Sequence, residues 1–289
     1  MVRVRIATRT SKLALLQVEE AVAYAGKMLG ESIEYEIVGV KTLGDKIRTG
    51  PIHKIGSPGA FAGEVNTAVL EGLADIAVHS LKDLPAKLPS GLEILYTTPR
   101  RDPRDSLVPR AGLKPECPAN IHGTVGTSSP RRAGFLRAVN RKISVVLMRG
   151  NIDTRLRKLD EGQADYIVVA EAALQRLKTR RERQVLPLIP FTPAPGQGYI
   201  AVVGMPDTSI GRLLSKAWRR EDEQAVRAEH TFISEIGGTC GKPVGGIWYE
   251  GRFIAGAYRE GAGAEWHIEE SQDPVEAASR AAAALKHLV

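Results

Sequence analysis

The chain has 289 residues, 43% of them hydrophobic and 25% charged, which is an ordinary globular composition with room for two or three domains. Its two cysteines, Cys117 and Cys240, exclude a disulfide framework, and no CxxC or Cys/His cluster marks a metal site. A formal net charge of +7 suggests an anionic partner, but long basic runs are absent and aromatics make up only 5%, few for stacking on single-stranded bases.

The N-terminus, MVRVRIATRT, reads as a strand and carries neither the apolar core of a secretion signal nor the length of a transit peptide. No stretch approaches the roughly 18 consecutive apolar residues of a membrane helix. A cytoplasmic protein without a membrane partner is the expectation.

Val4 to Ala7 forms the first predicted strand. Arg9-Thr10-Ser11 follows, then a helix from about Lys12 to Leu29 with Ser11 as N-cap. Residues 34–40 alternate as a strand. Residues 42–60 are rich in glycine and proline without a period, the signature of a long loop that is usually functional or disordered. A helix over 62–73 leads into the buried strand Asp75-Ile76-Ala77-Val78, which runs straight into His79, Ser80, Lys82 and Asp83.

A second unit starts near residue 100. Thr124 to Gly126 ends a strand, and Ser129-Pro130 opens a helix with Arg131 and Arg132 in its first turn. Residues 143–148 form the next strand, after which Arg149-Gly150-Asn151 begins another helix. Residues 166–170 form a strand followed by a helix around 172–177. From about residue 213 the pattern changes to a helix over 223–236, three short strands and a closing alanine-rich helix.

The chain echoes itself. LEGLADIAVHSLKDL (70–84) resembles DEGQADYIVVAEAAL (160–174), and ATRTSKLALLQ (7–17) parallels GTSSPRRAGFL (126–136). Two similar βα units facing each other would make a cleft at the carboxyl ends of their strands. PAPGQGYIAVV (193–203) reads as a crossover returning to the first half. The expected fold is therefore α/β, with residues 1–98 plus 198–212 as one domain, 99–197 as a second, and 213–289 as a small α+β domain.

The basic residues Arg9, Arg131, Arg132, Arg149, Arg155 and Arg176, with Ser11, Ser128 and Ser129, fall after predicted strands or early in helices. Helix N-termini bind anions, and guanidinium adds bidentate hydrogen bonds to carboxylates. Such a set suits a polycarboxylate, while phosphate-loop and dinucleotide motifs are absent. Lys82 could hold a substrate carboxylate, and Asp83 could accept N–H donors and stabilise positive charge that develops in reaction. A surface pair capping the Pro85 turn is the alternative. Cys240 sits between glycines in GGTCGKP beside Lys242, as a nucleophile or attachment point would, although an inert thiol is the commoner use of cysteine. Cys117, in KPECPAN, reads as a loop thiol.

Taken in order, RIATRTSKLALLQ, FAGEVNTAVLEGLADIAVHSLKDLP, RRDPRDSLV, VGTSSPRRAGFLR, RGNIDTRLRKLDEG, PAPGQG and GGTCGKPVGG are similar to the porphobilinogen deaminase (hydroxymethylbilane synthase) family over about residues 3–258. The resemblance implies two periplasmic-binding-protein-like α/β domains facing a cleft, plus a small C-terminal α+β domain. It implies a dipyrromethane cofactor joined covalently to Cys240 by a thioether. Porphobilinogen would lose ammonia, add to the primer over four rounds, and leave by hydrolysis as linear hydroxymethylbilane. By resemblance, Lys82, Ser129, Arg131, Arg132 and Arg155 would hold cofactor carboxylates. Arg9, Ser11, Arg149 and Arg176 would bind the incoming or growing chain, and Asp83 would be the catalytic aspartate. A monomer is implied.

Two rivals remain at this level. A non-enzymatic carboxylate-binding protein would share the cleft but need neither Asp83 nor Cys240. A nucleic-acid-binding protein would fit the charge and should show steep salt dependence.

Overall fold

The structure is a computed structural model and describes residues 2–42, 62–238 and 241–289. The loop expected over 42–60, apart from Thr42, and the cysteine expected to carry the cofactor, Cys240, lie outside the described residues. The described chain divides into two compact units, one of residues 2–42, 62–101 and 198–224, the other of 102–197, 225–238 and 241–289. None of the described helices is long and apolar enough to cross a membrane.

The first unit holds a five-stranded sheet. Its strands are β1 (Val2–Arg9), β2 (Ile33–Val40), β3 (Ile76–Ser80), β4 (Glu93–Thr97) and β10 (Ile200–Gly204), in the order β2-β1-β3-β10-β4. β1 runs parallel to β2 and β3, while β10 is antiparallel to β3 and β4. Helix α1 (Lys12–Leu29) starts where expected: the Ala14 N–H donates to the Ser11 hydroxyl at 3.3 Å. Its Val18, Ala21 and Ala25 are buried with Val4, Ile6, Ile76 and Val78. Helix α2 (Gly63–Leu70) is shorter than the expected helix over 62–73. Gly72, at φ 70, ends it by turning left-handed, which glycine does without a Cβ penalty.

The second unit repeats this plan. Its larger sheet contains β5 (Asp105–Pro109), β6 (Thr124–Thr127), β7 (Ser144–Leu147), β8 (Tyr166–Ala170) and β9 (Gln184–Val185), in the order β7-β6-β8-β5-β9. β6 is parallel to β7 and β8, and β5 is antiparallel to β8. Helices α3 (Pro130–Val139), α4 (Ile152–Asp160) and α5 (Glu171–Arg176) connect these strands. The sequence echo holds at the level of register. Ile6↔Ile76 and Ala7↔Ala77 in the first sheet become Val125↔Tyr166 and Gly126↔Ile167 in the second.

One clamp recurs at the same place in both. Asp75 accepts from the Arg5 backbone N–H at 2.7 Å, and Asp165 accepts from the Thr124 N–H at 2.9 Å. They fix the entry of β3 beside β1 and of β8 beside β6, so that register is set as the buried strands begin.

A three-stranded antiparallel meander, β11 (Val244–Tyr249), β12 (Arg252–Arg259) and β13 (Gly263–Glu270), lies in the same unit. Helix α8 (Pro274–Leu285) covers it, burying Ala277, Ala278, Ala281 and Leu285 with Phe253 and Ala255. The remaining helices are α6 (Ser209–Leu214) and α7 (Arg220–Glu235). Gly134 of α3 lies against β12, and a Cβ there would meet the Tyr258 ring at 2.7 Å. Phe135 stacks tilted on Trp266 with centroids 6.0 Å apart.

The Thr124 backbone N–H, then its hydroxyl, holds the Asp165 carboxyl below the ordinary carboxylate range. A depressed carboxyl stabilises the fold above its unfolded pKa, and the contribution disappears as pH falls through the folded value. Asp165→Ala is expected to cost about 1–2 kcal/mol near neutral pH and almost nothing well below pH 3.9. Denaturant unfolding of parent and variant across that pH span measures it.

Candidate active site

In the first unit the chemistry gathers at the carboxyl ends of β1 and β3. Because these strands are parallel and aligned Ala7↔Ala77, Arg9 leaves the sheet beside His79 and Ser80. Ser11 then caps α1, whose N-terminus offers free N–H groups at the same edge. The Leu81–Asp83 stretch is a single 3₁₀ turn. Its ends are apolar and buried: Leu81 and Leu84 are 2% and 7% exposed. The Leu81 N–H donates to the Tyr199 carbonyl at 3.2 Å, and the Leu84 N–H to the Leu81 carbonyl at 3.0 Å. With both leucines pointing inward, Lys82 is left half-buried and Asp83 exposed. A lysine and an aspartate therefore sit together because the turn is pinned by the residues on either side of them.

Both faces of β3 carry polar support near this turn. Gln17, buried in α1, donates from Nε2 to the Ser80 hydroxyl at 2.8 Å. On the other face, His79 Nε2 lies 2.8 Å from Asn66 Oδ1 of α2. An amide oxygen only accepts, so the imidazole is the Nε2–H tautomer. Burial, then the charge of Arg9, pushes the His79 pKa down to about 3 and keeps the ring neutral. Nearby arginines are engaged: Arg101 binds Glu20 at 2.8 Å, and Arg100 lies 4.3 Å over the Tyr199 ring.

In the second unit the equivalent strand end is Thr127-Ser128-Ser129. Ser129 caps α3, accepting from the Arg132 N–H at 3.4 Å, with Pro130 at the first helical position. Arg131 and Arg132 occupy the first turn as expected but point inward, 5% and 8% exposed. Arg131 Nη2 donates to Asp105 Oδ2 at 2.8 Å, and Arg132 Nη2 to Asp105 Oδ1 at 2.7 Å. Arg131 Nη1 also donates to the Thr192 carbonyl, and Arg132 Nη1 to the Val168 carbonyl. Gln197 Nε2 joins them on Asp105 at 2.9 Å. Burial pulls the Arg131 guanidinium below its ordinary value, while Asp105 opposes the shift.

Arg149 follows β7 and is half-buried; Arg155 lies in the first turn of α4, also half-buried. Arg176 is placed differently from the expectation. It is the last residue of α5, 6% exposed, at the carboxyl rather than the amino end of a helix. Sequence reasoning passed over Asp105 and Gln197 as site residues. Their signal was a charge heading the apolar run Ser106-Leu107-Val108 and an amide inside PAPGQG, both buried to 1%.

This donor set fits carboxylates. In each unit a capped helix N-terminus lies at strand ends, with Arg9 and Lys82 in the first and Arg131 and Arg132 in the second, and the buried Arg132 Nε has no hydrogen-bond partner among the described residues.

Residues 4–209 match the family described as porphobilinogen deaminase, dipyromethane cofactor binding domain. The chain belongs to the porphobilinogen deaminase family. Among curated relatives, the probable porphobilinogen deaminase of Hyperthermus butylicus is 45% identical over 84% of this chain and 80% of its own length. That of Pyrobaculum neutrophilum is 42% identical over 97% of this chain and 96% of its own. Among solved structures, the periplasmic VFT2 domain of BvgS from Bordetella pertussis is similar at 17% identity, covering 75% of this chain and 86% of that one with a TM-score of 0.41.

For a porphobilinogen deaminase with this interior, Asp105 is the costly residue to remove. Asp105→Ala leaves two buried guanidiniums without their carboxylate and should lose about 3–5 kcal/mol. Replacing Asp105, Arg131 and Arg132 together by leucine or methionine should recover most of that loss. Urea unfolding of the two variants beside the parent decides the point.

Proposed function

We propose that this chain is a hydroxymethylbilane synthase. It condenses four porphobilinogen molecules head to tail, with loss of ammonia, onto a covalently held dipyrromethane primer, and then releases the linear tetrapyrrole by hydrolysis. The observation that carries the reading is the edge of the first sheet, where Arg9, Ser11, Lys82 and the exposed Asp83 emerge from two adjacent parallel strands. A pyrrole bearing acetate and propionate is anionic at its side chains and a hydrogen-bond donor at its ring. Cations and an aspartate on one edge meet both needs.

The primer, when bound, supplies the free α-carbon onto which units are added. Cys240 is its proposed anchor, and Lys82, Ser129, Arg131, Arg132 and Arg155 hold its carboxylates. For Arg131 and Arg132 this role falls to the N–H groups that Asp105 and the backbone carbonyls leave over, Arg132 Nε among them. Arg9, Ser11, Arg149 and Arg176 hold the incoming or growing chain. Asp83 accepts pyrrole N–H groups and offsets the positive charge that develops as ammonia departs; preorganised charge of this kind needs no rearrangement during reaction. The same proposal takes 213–289 as a separate cofactor-bearing module, and the protein as a cytoplasmic monomer working without metal or nucleic acid. The non-enzymatic alternative has no comparable support.

Intact mass of the purified protein beside Cys240→Ser tests the anchor. An excess of one dipyrromethane in the parent and none in the variant is expected. Identical bare masses that persist after incubation with porphobilinogen would sink the reading. Asp83→Ala is expected to lower turnover at least about 10²-fold with the fold intact. Turnover within a few-fold of the parent removes Asp83 from the chemistry.

A further inference from the structure

The chain contains its own control for the buried polar groups around β3. The two α/β sheets share strand order, the register of their parallel pairs and the entry clamp, so residues 70–84 have counterparts in 160–174. Asn66 stands nine residues before Asp75, and Leu156 nine before Asp165; His79 stands four after Asp75, and Val169 four after Asp165. The positions match in burial as well. Asn66 and His79 are 1% and 6% exposed, and Leu156 and Val169 are 9% and 0% exposed. One unit therefore fills this place with an amide and an imidazole, and the other fills it with leucine and valine.

The second unit does without the polar pair at this place. An amide and an imidazole leave water at a cost that aliphatic side chains do not incur, and their mutual hydrogen bond returns only part of it. The counterparts of Lys82 and Asp83 are Ala172 and Ala173, whereas that of Leu81 is the buried Glu171, which accepts from the Ser106 hydroxyl at 2.6 Å; each unit thus places its polar groups differently.

We propose that the buried Asn66–His79 hydrogen bond is a positioning device for the condensation, holding the end of β3, and with it the Ser80–Asp83 turn and the adjacent Arg9, in the geometry that porphobilinogen requires. The inference rests on the functional reading above. His79 pairs with Ala201 in the sheet and immediately precedes Ser80, and its ring is tied to α2 at 2.8 Å. The tie fixes strand end and helix together at the level where Arg9 emerges. A neutral ring adds no charge to compete with Arg9 for a carboxylate. His79 and Asn66 act through these neighbours and touch no reacting atom in this account.

The test places the second unit's residues in the first. Asn66→Leu/His79→Val should melt within a few degrees of the parent, because replacing both partners of a buried hydrogen bond by apolar groups is close to neutral. Its kcat for porphobilinogen consumption should fall at least about 10-fold, the scale of a misplaced catalytic group, with a smaller change in KM. His79→Gln keeps an N–H donor for Asn66 and should recover kcat to within about 3-fold, whereas His79→Val should not. A double variant with parental kcat overturns the inference. So does one that melts far below the parent, since the pair would then serve the fold, and so does a His79→Gln no better than His79→Val. A parent that consumes no porphobilinogen overturns the functional reading itself, a result distinct from any of these.

Discussion

Parallel pairing of a first and third strand delivers both carboxyl ends to one edge of a sheet, and the placement of the candidate site residues Arg9, Lys82 and Asp83 follows from that constraint. Register decides which residues meet there. In the first sheet it is set by Asp75, whose carboxylate takes the Arg5 backbone N–H and whose own N–H returns to the Arg5 carbonyl at 2.8 Å. A slip of one residue would turn His79 and Ser80 to opposite faces. Asn66 would lose its partner on one side and Gln17 on the other. The aspartate at the start of β3 is thus as consequential for the site as the one at its end.

The two units use buried polarity differently. In the second, Asp105 neutralises two arginines from the first turn of a helix and takes an amide from Gln197 as well, so guanidinium is kept in an almost water-free place. Such a cluster is expensive to assemble and more expensive to break. Around β3 in the first, the buried polar pairs are neutral, an amide with an imidazole and an amide with a hydroxyl. Neutral pairs can stiffen a strand end without competing for the charge of a ligand. The division suits a unit that presents an exposed carboxylate and one that supplies fixed positive charge.

Much of this was legible in the sequence. The N-caps at Ser11 and Ser129, the first-turn arginines, the strand from Tyr166 to Ala170 and the internal echo could be read because each is local: a cap, a period or a spacing. What escaped was non-local. β5 was not picked out, since five residues headed by an aspartate carry a weak strand signal, and their burial depends on pairing with β8 and β9. The inward turn of Arg131 and Arg132 could not be seen without Asp105, which lies 26 and 27 residues away in the chain. Sequence reasoning groups Arg176 with early-helix residues, although the expected helix around 172–177, which the observed Glu171–Arg176 matches within a residue, already puts it near the carboxyl end.

The antiparallel strand inside the first sheet has a consequence for biosynthesis. β10, Ile200–Gly204, is inserted between β3 and β4 and is hydrogen-bonded to both. Until it arrives, those two strands present bare inner edges, the kind of surface on which chains aggregate. The second sheet has no such wait, for all five of its strands lie between Asp105 and Val185. On the ribosome, then, the sheet that comes second along the chain is the first to have every strand available. The sheet that leads to the aspartate can close only after every strand of the other sheet has been made.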